Sequence, residues 1–423
     1  MLANYLAAAV SAAAPLVAVP FYLEHLGPAL WGMVSFALML AVTLGILEIG
    51  ISQRLVRDLA VLHDRDPVAG RDIFSAIEGF YAGAAMVVAL TVSALAPWIA
   101  AHWLEVPADL YQDALHTVYF CAVLAATQIL NSSYRSWLLA SGRQVSLSVQ
   151  VTLLSLFKHG GGIAVVVYGG GLDGLFLYLA GVSMADVITR RWLARWRQGL
   201  AEAQSSDWQQ ARTILIAGMR VSVAVIAGIL ALQLDRLYLS SMGTLEELGK
   251  YSIATALAYG VVQLVSPLIA TAAPAMAVAA RNEAQLDIWC RKLFLVIAPI
   301  LALGGVAYYF GGDWLLQKWL RTADIEAVKN PLNLLLVGSA LNFVYAVGYQ
   351  RWISLGRTRI IMVVNFFALI AAAAITPLMI HRFDAPGAAS AWISFNLIGL
   401  CFQAPWFLSL LFRRSTALGN TQH

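Results

Sequence analysis

The chain has 423 residues, 60% apolar and 12% charged, with a formal net charge of +4 and a mean hydropathy of +0.75. So apolar a composition excludes an ordinary water-soluble globular protein. The small positive charge comes from a one-sided placement of Lys and Arg, described below, and implies no nucleic-acid partner.

A helix needs about 20 mostly apolar residues to cross a bilayer, and the runs here predict an all-α polytopic membrane protein of roughly twelve spans. In chain order they cover 2–23, 29–50, 73–100, 113–140, 145–168 and 175–192, then 212–240, 249–279, 291–310, 331–353, 359–380 and 387–412. The first run lacks a basic start and leads directly into further spans, so it reads as a helix and not as a cleaved signal. Arg54, Arg57, Arg65, Arg71, Arg143, Arg190, Arg191, Arg195, Arg197, Arg212, Arg281, Arg291, Lys292, Arg357, Arg359, Arg413 and Arg414 fall on one side of this topology. Lys250, Lys318, Arg321, Lys329 and Arg382 fall on the other, which predicts cytoplasmic termini. Cys121, Cys290 and Cys401 have neither metal-ligand nor disulfide spacing. The loops are too short, at roughly 25 residues or fewer, for a soluble catalytic domain.

The most charged loop begins at Arg190 and divides the spans six and six, giving lobes over 1–200 and 201–423. ALWGMVSFAL around Gly32 resembles ELGKYSIATAL around Gly249, and LLASGRQ at Gly142 resembles WISLGRT at Gly356, both at an offset of about half the chain. Six plus six in one orientation is the parallel-repeat plan of alternating-access transporters.

Charges inside spans are costly, so they mark candidate sites. Lys158 and His159 lie midway along the fifth span, beside a polar stripe of Ser148, Thr152 and Ser155 and ahead of Gly160, Gly161 and Gly162, which weaken the helix and permit bending or close approach. Lys158 fits either a functional cation or a Lys paired across the bundle; His159 fits a packing residue at least as well. Arg220 and Arg236 put cations at the two ends of the seventh span, Asp235 pairing locally with Arg236 as one reading. Gln128, Asn131, Ser132 and Arg135 share a face of the fourth span, while Asn342, Tyr345, Tyr349 and Trp352, beside Arg351, share one of the tenth. Aromatic rings beside amides suit sugars and suit core packing equally. Glu48, Glu78, Asp186 and Asp235 are the acids placed for coupling to protons or sodium, with Arg54 a partner for Glu48 or a ligand contact. No metal or other cofactor motif appears.

LGPALWG from Leu26, EIGISQRLVRDLA from Glu48 and LQLDRLYLSSMGTLEELGKYSIATAL from Leu232 resemble the polysaccharide transporter family, the O-antigen and lipid-linked oligosaccharide flippases of the multidrug and oligosaccharidyl-lipid exporter superfamily. That family commonly has aspartate where this chain has Glu48, a change that keeps the charge. The resemblance implies a V-shaped, two-lobed bundle in the bacterial inner membrane. It also implies movement of an undecaprenyl-diphosphate-linked oligosaccharide from the cytoplasmic to the periplasmic leaflet, among membrane lipids and alongside polysaccharide polymerase machinery. Lys158 and Arg220 would then meet the diphosphate, with Arg135, Arg236, His159, Asn131, Gln128, Asn342, Tyr345, Tyr349 and Arg54 as further contacts. The competing readings are an ion-coupled multidrug exporter, which should be lined by acids, a lipid II flippase, which should have extra C-terminal spans, and a membrane polymerase or ligase, which should have a large outer loop.

Overall fold

The computed structural model describes residues 2–45, 49–104, 106–197, 207–320 and 325–412, with backbone alone at 2–8, 12, 49–50, 53, 196–197, 220–225, 264 and 410–412. The described residues are almost wholly helical, in thirteen α-helices and without strands. These are α1 (Leu2–Gly45), α2 (Ile49–Arg65), α3 (Pro67–Trp98), α4 (Tyr111–Ala140), α5 (Gln144–Val167), α6 (Gly171–Arg197), α7 (Trp208–Ala231), α8 (Leu234–Met242), α9 (Leu245–Ala279), α10 (Glu283–Leu320), α11 (Glu326–Ser354), α12 (Thr358–Ala388) and α13 (Ser390–Phe412).

Among the described residues, ten segments are long and apolar enough to cross a membrane. The other two expected spans lie in α1 and α7–α8. Helix α1 holds the first two spans and breaks between them at Gly27 (φ 81°, ψ 167°). Pro28 drives its predecessor out of the α region, and glycine takes the positive φ without a Cβ penalty. The seventh span divides into α7 and α8 across Leu232 and Gln233.

One stretch expected as loop is a helix. The segment after Gly50 forms α2, in which Ile51, Leu55 and Leu59 at i, i+4 and i+8 are buried against α4 and α7. Asp66 then caps α3, its Oδ1 accepting from the Ala69 amide at 3.1 Å, with Pro67 at the first helical position.

The chain divides into two compact units, Met1–Ile253 and Ala254–His423. The lobe division at residue 200 follows span order, whereas the unit boundary falls later because α7 packs on α2 and α3. In unit 1 the core gathers Leu55, Leu59, Phe74, Ile77, Tyr81, Trp137, Ala194 and Ala211, with the rings of Phe74 and Trp137 4.9 Å apart. In unit 2 it gathers Met276, Leu286, Cys290, Phe343 and Val347. Large apolar side chains on the spans are outward-facing, Leu295 at 75% exposure and Leu303 at 71% among them, as a lipid-facing surface requires.

Of the two sequence-detected glycine pairs, one ends helices in the same way and the other is in direct contact. Gly142 (φ 74°) ends α4 and Gly356 (φ 67°) ends α11. After each, the arginine amide reaches back across the turn, Arg143 to the Leu138 carbonyl at 2.8 Å and Arg357 to the Trp352 carbonyl at 2.9 Å. This is the helix-ending hydrogen bond that glycine in the left-handed region permits. Gly32 and Gly249 touch each other within unit 1: a Cβ on Gly249 would sit 2.6 Å from the Pro28 carbonyl oxygen and 3.0 Å from the Gly32 nitrogen, while one on Gly32 would overlap the Leu245 carbonyl. The two related segments therefore cross backbone to backbone.

Candidate functional site: intramembrane charges and their partners

Asp186 on α6, 6% exposed, is the hub of unit 1. Its carboxylate accepts from Asn131 of α4 (2.9 Å), Gln150 of α5 (2.9 Å) and Arg190 one turn along α6 (2.8 Å). Three helices are thereby joined at one buried anion. Arg190 at i+4 was legible as a helical pair, but Gln150 was not, because its partner lies on another helix.

Lys158 sits about 12 Å farther along α5 than Gln150, eight residues at 1.5 Å each. Among the described residues it makes no hydrogen bond or ion pair, and Asp186, already bound by Arg190, is its electrostatic partner. Two members of the neighbouring polar stripe bond their own helix, Ser148 donating to the Gln144 carbonyl and Thr152 to that of Ser148. The Nδ1 atom of His159 is buried without a partner. Helix α5 runs unbroken through the glycine triplet, which admits neighbours and makes no bend in this structure. A Cβ on Gly161 would overlap the Tyr178 hydroxyl, and one on Gly162 the Tyr22 hydroxyl. Tyr178 uses that space to donate to the Phe157 carbonyl at 2.6 Å.

Glu78 on α3 forms a second tie. Tyr134 donates to its Oε1 (2.6 Å), Arg195 to its Oε2 (2.6 Å), and Arg191 lies 3.1 Å from Oε1. Asp235 begins α8, 6% exposed, with Tyr251 of α9 donating to Oδ2 at 2.8 Å and the Arg236 amide to Oδ1 at 2.8 Å. The Arg236 guanidinium turns to Gln233 (2.6 Å) and leaves a buried Nε unpaired. Arg54 pairs with Asp58 one turn away at 2.6 Å. Gln128 and Arg135 are exposed on α4, and Arg135 is without hydrogen bond or ion pair among the described residues. Glu48 and the Arg220 side chain lie outside the described residues.

In unit 2, Arg351 is held by Asp287 (3.1 Å) and Glu283 (2.9 Å) of α10, and its guanidinium lies over Trp406, 5.0 Å from the ring centroid. Asn342 donates to Asn396 of α13 at 2.8 Å. Tyr345, 3% exposed, packs edge-on to Tyr349, Trp352 and Phe395. The aromatic stripe of the tenth span is thus mostly interior packing of α11 and α13.

The two units repeat these contacts. Tyr134 to Glu78 joins α4 to α3 as Arg351 to Asp287 joins α11 to α10, and Asn131 to Asp186 joins α4 to α6 as Asn342 to Asn396 joins α11 to α13. The same helix pairs are tied in each unit, at positions that differ along the helices. Among the described residues no three His, Cys, Asp or Glu side chains converge as a metal site would require.

The sequence pattern described as "Polysaccharide biosynthesis protein" matches residues 1–279, about two-thirds of the chain. The chain belongs to that family. No curated protein matches it. Among solved structures, this family member is similar to the lipid II flippase MurJ in an inward closed conformation, with a TM-score of 0.76 at 11% identity over 98% of this chain and 88% of that one. A MATE protein in complex with MaL6 gives 0.65 at 13% identity, covering 97% and 94%. A MOP superfamily transporter from Pyrococcus furiosus, whose binding pocket is described as reversed in polarity, gives 0.63 at 13% identity with the same coverage. The polysaccharide biosynthesis family member thus has the fold of this transporter superfamily and is a multi-pass membrane protein.

Proposed function

We propose that the protein is a flippase that carries a lipid-linked oligosaccharide from the cytoplasmic to the periplasmic leaflet of the bacterial inner membrane by alternating access. Undecaprenyl diphosphate is the anchor that fits the family. The observation that carries this reading is Lys158, an intramembrane cation whose electrostatic partner, Asp186, is already neutralised by Arg190. A spare positive charge within a span costs at least about 2.5 kcal/mol on insertion scales, so it needs a compensating role. A diphosphate must shed water to cross a low-dielectric slab, and a fixed ammonium replaces that hydration with charge-assisted hydrogen bonds. Arg220, and Arg135 at the end of α4, would extend the same cationic path, while the lipid tail stays in the bilayer.

A carrier for cationic drugs would place spare acids where this chain places a spare Lys; Asp186, Glu78 and Asp235 all have partners. Coupling to a proton or sodium gradient is the expected energy source, with Asp235, Asp186 and Glu78 as the described acids that would serve it. Polysaccharide polymerase machinery would take the product. The test is translocation of a lipid-linked oligosaccharide in liposomes, followed with a reagent that modifies only outward-facing sugars. Protein-dependent modification of the inner pool, lost in Lys158→Ala and retained in Lys158→Arg, is the expected result. An inner pool protected with every oligosaccharide and gradient tried overturns the reading.

A further inference from the structure

We propose that unit 2 also binds the phosphodiester head group of an anionic phospholipid, in a cleft where α11 ends and α12 begins. The site belongs to the other unit from Lys158 and is independent of what the protein carries. The cleft has a volume of about 400 Å³.

Its polar end is built by the Gly356 turn. Arg351, 4% exposed, is consumed by Asp287 and Glu283, and Arg357 shares Glu283 at 3.3 Å. Arg359, the second residue of α12, is exposed and makes no hydrogen bond or ion pair among the described residues. Three arginines against two carboxylates leave one positive charge, which one phosphodiester neutralises. Trp352 lines the same space, and its indole N–H makes no hydrogen bond among the described residues. No side chain caps the start of α12, and the Thr358 and Ile360 amides turn to the Gly356 and Arg357 carbonyls, so the helix end adds its dipole and not a row of free donors.

The other end is apolar. Ile360 and Val363 follow Arg359 along α12, and Phe402 faces them from α13, with Val363 45% and Phe402 44% exposed. The cleft therefore changes from cationic at the helix ends to hydrocarbon-like within the spans, the polarity profile of an amphiphile with an anionic head. Basic pockets between transmembrane helices hold lipid head groups in this way, each Arg near the surface contributing about 1 kcal/mol. A free anion would use only half of the cleft, and a zwitterionic lipid would bring its own ammonium beside Arg359.

The experiment is native mass spectrometry of the full-length protein in detergent, titrated with phosphatidylglycerol or phosphatidylethanolamine, with thermal unfolding in parallel. Wild type should hold phosphatidylglycerol about fivefold more tightly, the equivalent of one exposed arginine. Arg359→Gln should abolish that preference while leaving the lipid-free unfolding temperature unchanged. Val363→Trp, which fills the apolar end, should weaken both lipids. Equal binding of the two lipids by wild type, or a preference that survives Arg359→Gln, overturns the proposal. So does displacement of phosphatidylglycerol by inorganic phosphate, which would make this a plain anion site. Displacement by an equal concentration of polyprenyl monophosphate would assign the cleft to the carrier lipid instead and overturn the phospholipid assignment.

Discussion

Removing the Asp186 carboxylate tests whether the hub of unit 1 is held by charge or by hydrogen-bond count. Its partners are two neutral amides, Asn131 and Gln150, and one buried cation, Arg190, whose side chain is 9% exposed. Hydrogen bonds between membrane helices average about 0.6 kcal/mol each, so the amides account for roughly 1 kcal/mol. Stranding a buried charge costs about 3–5 kcal/mol, so the loss of the partner of Arg190 outweighs the loss of both amide bonds. Asp186→Ala should therefore lower unfolding free energy by about 4 kcal/mol, and Asp186→Asn, which keeps the shape but not the charge, should fall nearly as far. Arg190→Met in the Asp186→Ala background should recover most of the loss, because no uncompensated ion remains. The assay is reversible unfolding in mixed micelles with increasing dodecyl sulfate, read by circular dichroism across the four-member mutant cycle. Asp186→Asn within about 0.5 kcal/mol of wild type would refute the charge argument. A double variant no better than Asp186→Ala would refute Arg190 as its cause.

Gly249→Ala places a methyl 2.6 Å from the Pro28 carbonyl oxygen, a backbone atom that cannot rotate aside, so α1 and α9 must separate and unfolding free energy should drop by about 1–3 kcal/mol in the same titration. Tyr134→Phe removes one of three groups on Glu78 and should cost about 1 kcal/mol, whereas Glu78→Ala, which strands Arg191 and Arg195 together, should cost more despite their partial exposure. Asn396→Asp installs, at a fully buried position, the carboxylate that unit 1 has at Asp186; with no Arg190 equivalent one turn on, it should destabilise by at least about 2 kcal/mol, and a variant as stable as wild type would show a counter-charge supplied from elsewhere in unit 2.

The spans were legible in the sequence because lipid admits only long apolar helices, and the duplication because glycines at the ends of α4 and α11 are required by backbone conformation. Helix α2 escaped that reading: its Ile51, Leu55 and Leu59 stripe lies among enough charge to resemble a loop in a hydropathy scan. The charged residues themselves were visible, but their partners on other helices were not. Tyr134 lies 56 residues from Glu78 and Arg195 lies 117 away, separations at which no local spacing rule operates. Lys158 stood out as an intramembrane cation, and the Gly160, Gly161 and Gly162 run suggested a bend or a close approach, of which the structure shows the second. Which neighbour fills the space beside a glycine depends on tertiary packing, here the hydroxyls of Tyr178 and Tyr22.

The recurrence of ties between the same helix pairs gives each tied helix of unit 1 a counterpart in the other half of the same polypeptide. Where unit 1 keeps an acid and a base at Asp186 and Arg190, unit 2 keeps the amide of Asn396, and where unit 1 joins helices through Tyr134, unit 2 uses Arg351. The molecule thereby contains its own comparison: two corresponding sets of tied helices, made at the same time in the same membrane, that differ in whether the tie between the fourth and sixth spans of the set is ionic. Effects shared by equivalent substitutions in the two halves report on the common architecture, and effects confined to one half report on the task that half has taken on.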